Sequence, residues 1–240
     1  MGMLTRLLLF LGILAAMLVV AATTAGARPT SVAACNPGRL QSFNTYHDGW
    51  AQPSDGGVVG GVYSLIENEE PYVAPYSLAT TGWVMLAKYQ AAKWSQVGWY
   101  WTGTASHTFL QVWDGTTDVT RTTDPPTAFP GSTYYTALYD PATSRFTFQV
   151  GGLAWPYSGY YVQQSWSPNE GEIFGEIQNY DSQMPGTVSN PMDTSDAHYY
   201  HYGYWTEFAG TPYSDNSSLW PYASGGSPLT HLAVWDSGCA

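Results

Sequence analysis

Charge is scarce in this chain. Asp, Glu, Lys and Arg make up 10% of its 240 residues, and only 7 are Lys or Arg, for a formal net charge of −11. With 44% hydrophobic residues, that poverty of charge excludes a disordered chain, a coiled coil and a long solvated helix. The few cations are scattered, so the positive footprint that a phosphate backbone requires is missing, and nucleic acid is excluded as a partner. After Ala22 no apolar run is long enough to cross a bilayer. There is also no G-x-S-x-G elbow, no H-E-x-x-H pair and no Walker loop.

Cysteine is nearly absent. Only Cys35 and Cys239 occur, and neither lies in a Cys-x-x-Cys motif or beside an activating basic group, which argues against catalytic thiols. In an oxidising compartment they are expected to form a disulfide that ties the ends of the exported chain together, worth on the order of 5 kcal/mol in the chain-entropy account. The alternative is a pair of unrelated thiols. Export itself is expected from the N-terminus: Arg6, the apolar run Leu7 to Ala22, and the small-residue site Ala25-Gly26-Ala27 read as a signal peptide over 1–27. A membrane anchor is the other reading of that run. A secreted protein with no membrane attachment after cleavage is the expectation, and a monomer the expected form. Asn216-Ser217-Ser218 fits a glycosylation acceptor, which matters only in a eukaryotic host.

What the chain has in abundance is strand-forming residues and turn formers. From residue 56 onward, short runs of Val, Thr, Tyr, Trp and Phe are broken by Gly, Pro, Asn and Asp clusters, the pattern of an all-β sandwich or barrel. The clearest hairpin joins Thr133–Tyr139 to Arg145–Val150 through Asp140-Pro141-Ala142-Thr143, with Phe146, Phe148 and Val150 facing inward. Further strands are expected at Val58–Leu65, Gly82–Ala87, Gln96–Trp101, Thr108–Trp113, Tyr160–Gln164, Gly171–Gln178, Tyr199–Phe208 and Leu229–Trp235. Trp83 to Lys93 has helical composition, but Gly82 and the aromatic run that follows favour a strand and a turn. Residues 28–55 read as a polar N-terminal arm and 56–240 as the sandwich domain; Asp114–Ser132 and Tyr213–Ser227 read as long loops.

Two groups of residues suggest chemistry. Asp193, Asp196, His198 and His201 are potential metal ligands, but 198 and 201 face opposite sides of a strand, so neither metal nor any other cofactor is expected. In Glu170-Gly171-Glu172-Ile173-Phe174-Gly175-Glu176, three carboxylates share one face of an extended strand. Like charges crowded in this way poise one carboxyl outside its usual range, which suits a general acid or base, although an ordinary acidic outer face has the same pattern.

The order of short motifs between about residues 56 and 205 resembles the neprosin-type glutamic peptidases. These motifs are Gly60-Gly61-Val62-Tyr63-Ser64-Leu65, Pro71-Tyr72-Val73, Tyr76-Ser77-Leu78 before Trp83-Val84, Gln96-Val97-Gly98-Trp99, Gly175-Glu176-Ile177 and Gln183-Met184-Pro185-Gly186. The resemblance implies an antiparallel concanavalin-like, jelly-roll-like β-sandwich and a catalytic pair at Gln96 and Glu176. Neprosins carry a glutamate at the first position, whereas Gln96 is similar to the Gln/Glu pair of the eqolisin-type glutamic peptidases, as are two glutamates four apart, here Glu172 and Glu176. The neprosin cysteine pair and Gly-Tyr-Trp-Pro stretch are missing, so proline-directed cleavage is not carried over. The implied roles are a general base and acid at Glu176 and, at Gln96, an amide that orients water and binds the oxyanion. The two side chains are then expected to meet from neighbouring strands, within about 3 to 5 Å in an open cleft.

The chain also carries 11 Trp, 19 Tyr and 8 Phe. Trp94, Trp99, Tyr100 and Trp101 surround Gln96 at alternating facings, so Trp94, Trp99 and Trp101, with Glu172, are expected at the substrate. Two partners fit such a groove, a polypeptide or a glycan. The expected function is a secreted hydrolase that cleaves peptide bonds at acidic pH. The alternatives are a carbohydrate-binding sandwich with Trp99 and Trp101 as stacking platforms, and a catalytically silent surface protein.

Overall fold

Many of the strands grow from runs rich in apolar, aromatic and β-branched residues, bounded by residues that turn the chain. The computed structural model describes residues 45–51, 53, 55–71, 73, 80–88, 91–122, 131–177, 185–186, 189–208, 212–214 and 232–234. The segment 1–27 expected to be a signal peptide, Cys35 and Cys239 with their expected disulfide, and the Asn216-Ser217-Ser218 triplet lie outside the described residues. The elements are β1 (Thr45–Ala51), β2 (Val59–Glu67), β3 (Thr80–Lys88), β4 (Lys93–Trp101), β5 (Ser106–Trp113), β6 (Asp118–Thr122), β7 (Ser132–Asp140), β8 (Arg145–Val150), β9 (Leu153–Ala154), β10 (Val162–Gln163), β11 (Glu170–Ile177), β12 (Met192–His201), β13 (Tyr204–Glu207), β14 (Pro212–Ser214) and β15 (Leu232–Val234). No helix occurs among the described residues.

The strands form two antiparallel sheets. One has seven strands in the order β14-β1-β11-β3-β4-β5-β6; the other has the order β10-β8-β7-β2-β12-β13, with β9 on β8 and β15 on β12. The architecture is the expected all-β antiparallel sandwich. Between the sheets lie Val62 and Ile66 of β2, Val84 and Leu86 of β3, Val97 and Trp99 of β4, Leu110 and Val112 of β5, Tyr135 and Ala137 of β7, Phe146 and Phe148 of β8, and Ile173 of β11. Burying each large side chain of this kind contributes about 1.5–3 kcal/mol before conformational entropy is subtracted. Trp99 fits because Gly82 lies beneath it: a Cβ there would stand 2.6 Å from the indole Nε1.

The β7–β8 hairpin forms as read, its turn closed by Asp140, which accepts from the Ala142 amide (2.9 Å) and the Thr143 hydroxyl (2.6 Å). Several boundaries differ. Thr45–Ala51, read as part of an arm, is β1, paired along its whole length with β11. Asp118–Thr122, read as loop, is β6 and completes the polar edge of the seven-stranded sheet beyond β5. Tyr199–Phe208, read as one strand, holds the end of β12 and all of β13, because Tyr202 (φ 49°) and Gly203 (φ 88°) take left-handed conformations that turn the chain back.

Candidate active site

The parity of the seven-stranded sheet decides which side chains can meet. On β4, Val97, Trp99 and Trp101 point toward the inter-sheet core, which leaves Trp94, Gln96 and Tyr100 on the opposite face. That face carries a second apolar cluster: Trp83, Met85 and Ala87 of β3, Trp94 of β4, Phe109 of β5 and Phe174 of β11, with Tyr100 and Trp113 packed against it. The expectation that Trp99 and Trp101 line the substrate is therefore corrected. Trp99 is fully buried in the main core and Trp101 packs on it, because both sit at odd spacing from Gln96 on a period-two strand. Trp94, at even spacing, is on the face of Gln96.

The acidic run is not a solvated outer face. Glu170, Glu172 and Glu176 are all buried, Glu172 at 2% and Glu176 at 4% exposure. Glu172, Phe174 and Glu176 of β11, with Trp83, Met85, Ala87, Trp94 and the hairpin residues Lys88, Ala92 and Lys93, line a pocket of about 50 Å³ that is partly open to solvent. Phe174 stacks on Trp83 with ring centroids 3.9 Å apart and planes inclined by 12°. This stack sets the indole so that Trp83 Nε1 donates to Glu176 Oε2 at 3.1 Å. Gly98, the partner of Trp83 across the sheet, makes that packing possible: a Cβ there would lie 2.4 Å from the Trp83 Cβ.

Gln96 stands beside this pocket, 6% exposed. Its Nε2 donates to Gln111 Oε1 at 2.9 Å, and the same oxygen accepts from Trp94 Nε1 at 3.3 Å. Gln111 Nε2 in turn donates to Asp118 Oδ2 at 3.2 Å, while the Thr120 hydroxyl donates to Asp118 Oδ1 at 2.9 Å.

Gln96 and Glu176 share a face but not neighbouring strands, which corrects the expected direct approach from adjacent strands. β3 lies between β4 and β11, and its Met85 pairs with Gln96 on one side and Glu172 on the other. Glu172 is thus in register with Gln96, two strand spacings or roughly 10 Å away at the backbone. Glu176 lies four residues further along β11, about 13 Å along the strand direction. Sequence reasoning missed Trp83, Gln111 and Asp118 as members of the site. The signal for Gln111 was available: an amide in the middle of the aromatic run Phe109-Leu110-Gln111-Val112-Trp113, on the parity of Gln96.

Elsewhere, His198 Nδ1 lies 3.3 Å from Asp196 Oδ1 and His201 Nε2 lies 3.4 Å from Asp55 Oδ1. Among the described residues no group of three or more His, Cys, Asp or Glu is placed to hold a metal ion.

No family model matches the chain, and no curated protein matches it in sequence. In structure it is similar to scytalido-glutamic peptidase, seen in complexes with a peptide-based transition state analog and with a transition state analog inhibitor. Both superpose with a TM-score of 0.56 at 13% identity, covering 82% of this chain and 99% of the other. A carbohydrate binding module from Bacillus subtilis matches at a TM-score of 0.35 and 10% identity over 58% of this chain and 82% of the other. At these identities the first likeness is one of fold, a distant glutamic-peptidase-like sandwich.

Proposed function

We propose that the chain is a secreted glutamic-peptidase-like hydrolase that cleaves peptide bonds at acidic pH, with Gln96 and the carboxyls of Glu172 and Glu176 as its reactive groups. The observation that carries the reading is that two buried carboxyls line an apolar pocket on one sheet face and a buried carboxamide stands beside that pocket on the same face. A peptide laid over Met85 and Trp83 would have Gln96 on one side and both carboxyls on the other. A carboxyl of the pair takes a proton from water and later returns it to the leaving amine. Gln96 does not titrate; it positions the water and the developing oxyanion. Register favours Glu172 as the carboxyl that shares a water with Gln96, while Glu176, which the sequence resemblance implies, is fixed by Trp83. The apolar run Leu7 to Ala22 supports export.

Proteolysis of an unstructured protein by the purified chain from about pH 3 to 7 tests the reading. Gln96→Ala is expected to lower kcat by about 100-fold or more, the usual effect of losing an oxyanion donor. Of Glu172→Gln and Glu176→Gln, the variant that loses activity at every pH while still folded identifies the base. A folded wild type inactive across the range overturns the peptidase reading.

Glycan binding is a second reading, supported by a different surface from the one expected. On the outer face of the eight-stranded sheet, Tyr134 is 39% and Trp205 42% exposed, both packed against Tyr63. Retention on insoluble polysaccharide, lost in Trp205→Ala, is the observation that would favour it.

A further inference from the structure

We propose that Gln111 is a positioning residue that locks the carboxamide of Gln96 in one orientation, leaving Gln96 Oε1 to accept a hydrogen from substrate or water. The word substrate rests on the hydrolase reading above; the lock itself does not. An indole N–H only donates and a carboxylate only accepts. Trp94 Nε1 faces one end of the Gln111 amide at 3.3 Å, and Asp118 Oδ2 faces the other at 3.2 Å. Gln111 therefore has one satisfied orientation, oxygen toward Trp94 and nitrogen toward Asp118; the flipped amide would set donor against donor and acceptor against acceptor. Asp118 is itself held by the Thr120 hydroxyl.

With Gln111 Oε1 fixed, Gln96 must present its nitrogen to it, as it does at 2.9 Å. Gln96 Oε1 is thereby turned away from β5, buried and without a hydrogen-bond partner among the described residues. Buried acceptors are rarely left unsatisfied, and one held this way by a satisfied chain of partners marks a place for a donor from outside the protein. The chemistry that fits is an amide N–H of a peptide or an O–H of the attacking water. The second amide hydrogen of Gln96 remains for an oxyanion, so the lock sets an acceptor and a donor side by side.

Two variants of the full chain test this. Gln111→Leu keeps bulk and removes the lock; kcat is expected to fall about 10- to 100-fold with KM nearly unchanged. Gln111→Glu puts a carboxyl opposite Asp118. When the two hold one proton between them, one carboxyl donates to the other and the second oxygen still accepts from Gln96 and Trp94. When both are charged they repel. The ratio of variant to wild-type kcat should therefore approach 1 near pH 3 and drop by about 10-fold or more by pH 7, the sign of a coupled carboxyl pair. Among the described side chains, the other titratable groups on this face are Tyr100 of β4, His107 of β5, Lys88 and Lys93 at the β3–β4 end, and Glu170, Glu172 and Glu176 of β11. They are common to both proteins and cancel in the ratio.

A readout independent of turnover is solvent exchange of the Gln96 side-chain amide, followed by NMR. One hydrogen protected in the wild type and unprotected in Gln111→Leu supports the lock. Wild-type kcat and unchanged amide exchange in both variants overturn it, as does a pH-independent ratio for Gln111→Glu, which is the behaviour of a merely structural residue. Should the Leu variant fail to fold, the pH profile of Gln111→Glu decides alone. If the wild type cleaves nothing, the hydrolase reading falls while amide exchange still decides the lock.

Discussion

The two outer faces of this sandwich are built from similar strands and differ in what they bury. On the eight-stranded sheet, β8 alternates between core and surface, with Phe146, Phe148 and Val150 buried and Arg145, Thr147 and Gln149 half-buried. That is the ordinary pattern of an antiparallel sheet with one wet side. On the seven-stranded sheet, β3 is buried from Thr80 to Ala87 and β11 from Glu170 to Glu176, on both faces. A strand buried on both sides needs its polar groups to be partnered by one another. The doubly buried sheet holds the chain of bonds from Trp94 and Gln96 through Gln111 to Asp118, and beside it Gln96 Oε1, unpartnered among the described residues, while the singly buried one holds exposed aromatics. Polar residues on a doubly buried sheet are the better guide to chemistry, because burial makes each of their hydrogen bonds costly to lose.

The contrast can be broken in order of expected effect. Trp99→Ala, in the core shared by both sheets, should destabilise the fold by about 3–5 kcal/mol, read as a drop in the denaturation midpoint. Gly98→Ala should cost about 3 kcal/mol, the upper end for overpacking, since the new Cβ would meet backbone as well as the Trp83 Cβ and nothing flexible can move aside. A variant as stable as wild type would mean that the β3–β4 contact is looser than described. Trp83→Phe keeps the stack on Phe174 but removes the bond to Glu176; about 1–3 kcal/mol should be lost, together with any activity that depends on Glu176.

A smaller effect is expected from the acidic end of β2. Burial, then the neighbouring charges of Glu67 and Glu70, push the Glu69 carboxyl up to about 7. A carboxyl whose folded value is raised binds protons more readily in the native state, so its contribution is full below the ordinary carboxylate range and is lost as pH rises through about 7. Thermal midpoints should therefore decline between about pH 4.5 and 7, and Glu69→Gln should flatten that slope. A flat wild-type profile there would remove Glu69 from consideration. The least effect belongs to Trp205→Ala on the singly buried sheet: about 1 kcal/mol or less, from its contacts with Tyr63 and Tyr200.

Much of the fold was legible because period-two alternation is written directly in the residues. Arg145–Val150 coincides with β8, and Gly82–Ala87 falls within β3 although the stretch Trp83 to Lys93 has helical composition. The failures have a common cause. Thr45–Ala51 and Asp118–Thr122 carry too few apolar residues to declare themselves; their backbones are recruited as strands by neighbours, β11 and β5, that offer unpaired ladders. Trp99 and Trp101 were misplaced although the parity that puts them in the core was readable from their spacing to Gln96.

The sequence by itself determined the strand-rich class, the shared facing of Glu170, Glu172 and Glu176, and the even spacing of Trp94 and Gln96, since each follows from the fixed geometry of an extended chain. Only the tertiary structure decided that β3 separates β4 from β11, that Met85 aligns Gln96 with Glu172 rather than Glu176, and that Gln111 governs the amide of Gln96. Strand order and register are set by how whole sheets pack, through contacts between residues far apart in the chain, and no local pattern specifies them.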